Sequence, residues 1–199
     1  MSSTRSASKQ RITKETSISV ALDLDGPTGV VSATTGLPFF DHMLDQLGRH
    51  GGFDLMIEAT GDLHVDGHHT VEDVALTVGE VFKEAIGDKA GIRRFASGLF
   101  PLDEALVEVA LDLSGRPFTA FDVPFGEVLP LGDPPFNPEM AEHFWQSFAT
   151  AAGITLHVRL REGRNTHHIV EATFKGVARC LRDAVRVEGG GVPSTKGVI

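Results

Sequence analysis

Two short segments of the chain carry the same pattern of potential metal ligands. Residues 68–72 read HHTVE, and residues 167–171 read HHIVE. If each segment begins a helix, side chains three and four positions apart share one arc of its first turn. Imidazoles and a carboxylate gathered on one arc are costly unless something pairs them, and both groups are suitable ligands for a divalent metal. Each segment therefore predicts part of a metal site.

The second copy strengthens this prediction, because chance duplication of a packing accident is much less expected than duplication of a site. A third matched pair of histidines lies in the predicted helix before each segment. The candidate ligands are six His and two Glu: His42, His68, His69, Glu72, His143, His167, His168 and Glu171. This set exceeds what one ion needs, so it predicts two ions with open positions left over. Adjacent histidines point ~100° apart on a helix and are expected to serve different ions.

Other residues near the ligands allow two interpretations each. Asp41, Asp66 and Asp73 could orient imidazole rings from behind, or they could be helix caps and solvated acids. His50 ends a predicted helix and could face a ligand. Cys180 lies in an apolar pattern and is expected to be a buried core residue rather than a reactive thiol.

The composition limits the kinds of molecule that the protein is expected to bind. Hydrophobic residues make up 41% and charged residues 23% of the 199 residues, as in soluble globular proteins. A net charge of −9 argues against nucleic acid as the main partner, although a small phosphorylated substrate needs only a few basic side chains. No segment has the apolar length of a membrane helix. The lone cysteine favours a reducing compartment such as the cytoplasm, and residues 1–11 read as a frayed tail.

The elements that must position the ligands repeat in two halves. The predicted strands are residues 17–24, 30–31, 53–59, 105–113, 118–123 and 154–160. The predicted helices begin at about Asp41, at His68, at Asn137 and at Asn165, and the second and fourth end near residues 86 and 187. Each half thus reads strand-strand-helix-strand-helix. This predicts an internally duplicated α+β fold with sheet packed against helices, divided into 1–90 and 91–199 and forming one fused catalytic unit.

Several longer strings surround these ligands. They are PFFDHMLDQLGRHG, GDLHVDGHHTVEDVAL, LDEALVEVALDLSGRP, EHFWQSF, THHIVEATFKG and PSTKG. Together they resemble the imidazoleglycerol-phosphate dehydratase family, and the resemblance runs from about Arg11 to Ile199. With no additional phosphatase domain in the sequence, the monofunctional form is expected.

The resemblance implies a manganese enzyme of histidine biosynthesis that converts imidazole glycerol phosphate to imidazole acetol phosphate and water. It implies two Mn²⁺ ions per active site, held by the eight ligands named above. It also implies a 24-subunit homo-oligomer with sites where subunits meet. By motif, Glu15 is the candidate catalytic base. The candidate substrate and phosphate contacts are Gln46, Arg94, Arg116, Lys175, Ser194 and Lys196, with His50 added to them.

The residues alone leave two other functions open. A dinuclear metallohydrolase would use two metals to activate water against a phosphoester. A metal-binding or metal-storage assembly would bind metal without affinity for a phosphorylated substrate. A metalloprotease is set aside, because HHxxE lacks the HExxH order that places a glutamate base between two ligands.

Overall fold

The computed structural model describes residues 5–26, 29–126, 129–192 and 194, and each half of the chain forms a four-stranded sheet and two helices. The first half contains β1 (Ser6–Ile12), β2 (Thr16–Asp23), β3 (Val31–Thr34), α1 (Pro38–Gly51), β4 (Asp54–Gly61) and α2 (His68–Ile86). The second half contains β5 (Phe95–Leu102), β6 (Ala105–Asp112), β7 (Phe118–Asp122), α3 (Met140–Ala152), β8 (Thr155–Glu162) and α4 (Thr166–Ala184). The predicted α+β class and its duplication are confirmed.

The two sheets have the same topology. Their strand orders are β1-β2-β4-β3 and β5-β6-β8-β7, so the second sheet repeats the first. In each sheet the last two strands of that order are parallel and the other neighbours are antiparallel. Parallel neighbours need a crossover, and α1 and α3 supply it. The crossover places both helices of a half on the same face of its sheet.

The four helices lie between the two sheets, because α2 packs on α3 and α1 packs on α4. Strand β2 shows the alternation that this arrangement requires: Ile18, Val20 and Leu22 are buried against the helices, whereas Ser17 faces outward. Aromatic side chains fill the space between the helices. They are Phe40, Phe82, Phe144, Trp145, Phe148 and Phe174. Within the described residues, no helix is long and apolar enough to cross a bilayer.

Glycine at position 79 sets the distance between α2 and α3. A Cβ added there would lie 2.6 Å from the carbonyl oxygen of Phe148 and 2.8 Å from the Cβ of Ala151. Both neighbours are backbone or backbone-fixed atoms, so they cannot rotate away. The two helices can approach this closely only because Gly79 has no side chain.

The first strand of each sheet was missed by the sequence pattern. Residues Ser6 to Arg11, predicted as part of a frayed tail, belong to β1 and pair with β2. This edge strand has mostly exposed positions, so it carries no apolar alternation. Strand β5 alternates in burial, but it contains Gly98 and Pro101, which are unusual inside a strand. Each half therefore has one strand more than predicted.

Three helix ends differ from the prediction. Helix α1 begins at Pro38 rather than after Asp41, whose carboxylate accepts hydrogen bonds from the Thr35 backbone and hydroxyl at 2.8 and 2.6 Å. Helix α3 begins at Met140, because the Asn137 carbonyl closes a turn with the Met140 N–H first.

Helix α4 has the predicted start and a different end. The Asn165 side chain caps the helix by accepting from the His168 N–H. The helix stops at Ala184 rather than near residue 187, because Val187 forms a β-bridge with Ile92. Helix α2 begins and ends as predicted, with Gly87 as its C-cap.

Replacing Gly79 by alanine tests the close helix contact. We expect Gly79→Ala to lower the free energy of unfolding by about 1–3 kcal/mol, because the new methyl group has no space between α2 and α3. Urea unfolding followed by circular dichroism measures this. The matched control is Gly126→Ala, where a Cβ meets nothing within 4 Å. Equal stability of both variants would contradict the tight contact.

Candidate metal centre

The first group of candidate ligands joins α2 to α3. His68 and Glu72 lie in the first turns of α2, and His143 lies in α3. The rings of His68 and His143 stack with centroids 4.2 Å apart. The Nε2 atom of His143 lies 3.8 Å from Oε2 of Glu72. One potential ligand atom from each residue lies within 4.8 Å of the other two, close enough to share an ion. We call this group the α2/α3 triad.

The second group joins α1 to α4 with the halves exchanged. His42 comes from α1, and His167 and Glu171 come from α4. Oε2 of Glu171 lies 3.0 Å from Nε2 of His167 and 3.5 Å from Nε2 of His42. These ligand atoms also lie within 4.8 Å of one another. We call this group the α1/α4 triad. Each triad therefore takes ligands from both halves of the chain.

The triads fit a divalent metal ion. The Nε2 atom of His143 is buried, and in the part of the chain that the structure describes it has no hydrogen-bond partner. Leaving a buried polar atom unpaired is unfavourable, so such an atom in a native site calls for a partner. A cation between His143 and Glu72 would provide one. Imidazole and carboxylate together suit Mn²⁺, Fe²⁺, Co²⁺, Ni²⁺ and Zn²⁺.

The two remaining candidate ligands, His69 and His168, belong to neither triad. The ring of His69 is turned 86° from that of His68, and its Nδ1 lies 3.0 Å from Oδ2 of Asp62. Glu15 is the next carboxylate, 3.9 Å from the same nitrogen. Glu15, Asp62 and His69 form a third group with ligand atoms within 4.8 Å of one another.

His168 repeats this orientation in the second half. Its ring is turned 82° from that of His167, and its Nδ1 lies 2.8 Å from Oε2 of Glu104. Glu104 also accepts hydrogen bonds from the backbone N–H groups of Arg164 and Asn165, at 3.2 and 2.7 Å. The carboxylate is therefore fixed from two sides. The Nδ1–H bond leaves Nε2 of His168 as the atom that can bind a metal.

These carboxylates shift the ionisation of both histidines. The hydrogen bond from His168, followed by the two backbone N–H groups, lowers the pKa of Glu104 to about 2. In return, Glu104 raises the pKa of His168, and Asp62 raises the pKa of His69. Metal binding requires neutral rings, so these raised pKa values work against cation binding as the pH falls.

Sequence reasoning missed Asp62 and Glu104 as imidazole partners. The carboxylates considered instead have other bonds: Asp66 accepts from the His68 backbone N–H, and Asp73 pairs with Arg11. The duplication of the chain could have pointed to Glu104. Glu104 immediately precedes β6, just as Glu15 immediately precedes β2.

Three of the candidate substrate contacts lie around the α1/α4 triad. Nε2 of Gln46 is 3.4 Å from Nδ1 of His42, and Nζ of Lys175 is 2.6 Å from Oε1 of Glu171. Burial, and next the positive charge of Lys175, lower the pKa of His50. Gln46 and Lys175 therefore contact ligands of this triad, and His50 lies within electrostatic reach of Lys175 and Glu171.

The other candidates lie near the end of β6 or in the C-terminal segment. Arg94 binds Asp112 through its Nε at 2.6 Å, and the Arg116 backbone N–H donates to Ser114 in the turn after β6. The Ser194 backbone N–H donates to the Val192 carbonyl. Lys196 lies outside the described residues.

Comparison with known proteins gives one consistent family. A sequence model described as imidazoleglycerol-phosphate dehydratase matches residues 35–181. The imidazoleglycerol-phosphate dehydratase of Acidothermus cellulolyticus is 57% identical, over 98% of this chain and 93% of that protein. The one from Carboxydothermus hydrogenoformans is 54% identical, over 98% of this chain and 100% of that protein. The crystal structure of the dehydratase from Staphylococcus aureus superposes with a TM-score of 0.80 at 33% identity, covering 92% of this chain and 99% of that one.

Removing the Glu104 carboxylate tests its hold on His168. We expect Glu104→Ala to weaken binding of Mn²⁺ by about 10–100-fold, because the ring of His168 loses the bond that fixes its orientation and tautomer. Glu104→Gln should fall between this variant and the native chain, since its amide oxygen can still accept from Nδ1. Calorimetric titration of the metal-free protein gives the affinities.

The control for this experiment is Glu162→Ala, which removes an exposed carboxylate at the end of β8. Its metal affinity should equal that of the unaltered protein. If Glu104→Ala also binds Mn²⁺ as tightly as the unaltered protein, Glu104 has no part in holding the ligand.

Proposed function

We propose, since the chain belongs to the imidazoleglycerol-phosphate dehydratase family, that it removes water from imidazole glycerol phosphate to give imidazole acetol phosphate in histidine biosynthesis. Besides family membership, the structural observation that supports this reaction is the pair of His₂Glu triads. Each triad is assembled from both halves of the chain. Because neither half contains a complete triad, 1–90 and 91–199 would work only together. They would form one catalytic unit.

The proposed cofactor is Mn²⁺, with one ion at each triad. The α2/α3 triad would hold one ion through His68, Glu72 and His143, and the α1/α4 triad would hold the other. When bound, such an ion would supply Lewis acidity toward a nitrogen of the substrate imidazole, which would make loss of hydroxide from the adjacent carbon easier.

His69 and His168 are proposed as ligands to ions held by neighbouring copies. Each triad alone supplies three protein ligands, and neither histidine belongs to a triad of its own chain. The carboxylates of Asp62 and Glu104 occupy Nδ1 of each ring, which leaves Nε2 as the nitrogen that could bind an ion. Sites shared between copies require a homo-oligomer, and the family resemblance implies 24 subunits.

Glu15 is proposed as the base that removes the proton from carbon. It lies in the turn between β1 and β2 and lines an open pocket of about 370 Å³ together with Thr13, Asp62 and His64. An exposed carboxylate there can accept the C–H proton next to the carbon that loses hydroxide. In the net reaction this proton and the hydroxide leave as water, and the enol that forms becomes the ketone.

The substrate's phosphate needs basic partners. Lys175 and His50 lie beside the α1/α4 triad, and Arg94 and Arg116 lie near the end of β6. These residues, with Gln46, Ser194 and Lys196, are the proposed substrate contacts. A small phosphorylated substrate, rather than nucleic acid or a membrane, is the proposed partner. A cytoplasmic location is proposed from the biosynthetic role of the family.

The direct test removes the metal and restores it. After treatment with a chelator, the protein should form no ketone product from imidazole glycerol phosphate, and added Mn²⁺ should restore product formation. Protein that is folded and metal-loaded but inactive with Mn²⁺, Fe²⁺, Co²⁺ and Zn²⁺ would refute the proposed reaction. Release of inorganic phosphate would favour a metallohydrolase instead.

Substitution of Glu15 separates catalysis from binding. We expect Glu15→Gln to lower kcat by about 10²–10⁴-fold, since the amide cannot accept the proton, with metal affinity unchanged. Steady-state kinetics and metal titration give the two quantities. Glu58→Gln, on the outer face of the first sheet, is the control that should retain full turnover. A Glu15→Gln enzyme with near-normal kcat would remove Glu15 from this role.

A further inference from the structure

We propose that the two metal positions differ in affinity, with the α2/α3 triad binding a divalent cation more tightly, and that Lys175 causes the difference. The inference rests on the proposed metal function. It assigns to Lys175 a role in metal affinity that is separate from any contact with substrate. It also assigns an order of loading: the first ion per chain occupies the α2/α3 triad.

The ligand types of the two triads give no reason for a difference. Both triads consist of two imidazoles and one glutamate, and both take their ligands from a pair of helices that belong to opposite halves. In both, the glutamate lies in the second turn of its helix, after two histidines. The two triads therefore differ mainly in the groups around their ligands.

Lys175 lies directly on the carboxylate of the α1/α4 triad. Its Nζ is 2.6 Å from Oε1 of Glu171, one helical turn earlier in α4. The other oxygen, Oε2, faces Nε2 of His167 at 3.0 Å. Both oxygens of Glu171 thus have partners, and its side chain is only 11% exposed. The ammonium group cancels the one negative charge of this triad.

The α2/α3 triad has no ammonium group at the equivalent place. Helices α2 and α4 align from their paired histidines, and the position that matches Lys175 is Leu76. The side chain of Glu72 is 41% exposed and lies 3.8 Å from Nε2 of His143. The residue after Glu72 in α2 is Asp73, and it forms an ion pair with Arg11. Among the described residues no lysine or arginine pairs with Glu72, so its charge is open to a metal ion.

The charge difference acts directly on metal binding. A divalent ion at the α1/α4 triad must either displace Lys175 from Glu171 or remain within a few ångströms of a like charge. Displacement loses a charge-assisted hydrogen bond to a buried carboxylate. Neither cost applies at the α2/α3 triad. We expect the two dissociation constants to differ by at least about 10-fold.

Two reciprocal substitutions test this. The whole protein is stripped with a chelator and titrated with Mn²⁺, with bound metal followed by calorimetry and free Mn²⁺ by electron paramagnetic resonance. The unaltered chain should show two classes of site. Lys175→Met should tighten the weaker class about 10-fold, so that the two classes converge. Leu76→Lys should weaken the tighter class, because it places an ammonium group one turn after Glu72.

The control is Lys83→Met, which removes the same charge from the last turn of α2 and should leave both classes unchanged. Circular dichroism confirms that each variant is folded. A single class of sites in the unaltered chain, or two classes that Lys175→Met and Leu76→Lys do not move, would overturn the inference while leaving the proposed function intact. No binding of Mn²⁺ by the unaltered chain would instead refute the proposed function itself.

Discussion

The packing of helices from opposite halves is the constraint on which the candidate site depends. Each triad takes its histidines and glutamate from two helices, α2 with α3 or α1 with α4, that are distant in sequence. The contact between α2 and α3 is close because Gly79 leaves room for the Phe148 carbonyl. One half alone would expose the inner faces of its helices and hold only part of each triad. The helix packing that buries the core therefore also brings the ligands together.

Much of this arrangement was accessible from sequence, because it depends on local patterns. The paired histidines predicted the start of α2, and the Asn165 cap identified the start of α4. The sequence did not predict which ligands lie beside one another. Helix packing decides which histidine of one half lies beside which glutamate of the other. Similarly, Glu104 reaches His168 across 64 positions of sequence. The edge strand β1 escaped detection because its partners are backbone groups of β2, which leave no apolar pattern.

The duplicated halves have kept their ligands and diverged around them. Glu15 and Glu104 occupy the same place before the second strand of each half, yet Glu104 is fixed by His168 and two backbone groups, while Glu15 remains exposed. Lys175 faces Glu171, while Leu76 takes its place in α2. An internal symmetry that builds two similar metal positions therefore surrounds them with different chemistry. That difference is consistent with the proposed reaction, in which the phosphate contacts and the base are different residues.

The measurement that tests the central claim most directly is anomalous diffraction from crystals of the Mn²⁺-loaded protein. Two peaks are expected per chain, one contacted by His68, Glu72 and His143 and the other by the α1/α4 triad. Such a map would establish that helices from opposite halves share each ion. A single peak per chain, or a peak bound by both adjacent histidines of one segment, would contradict the account.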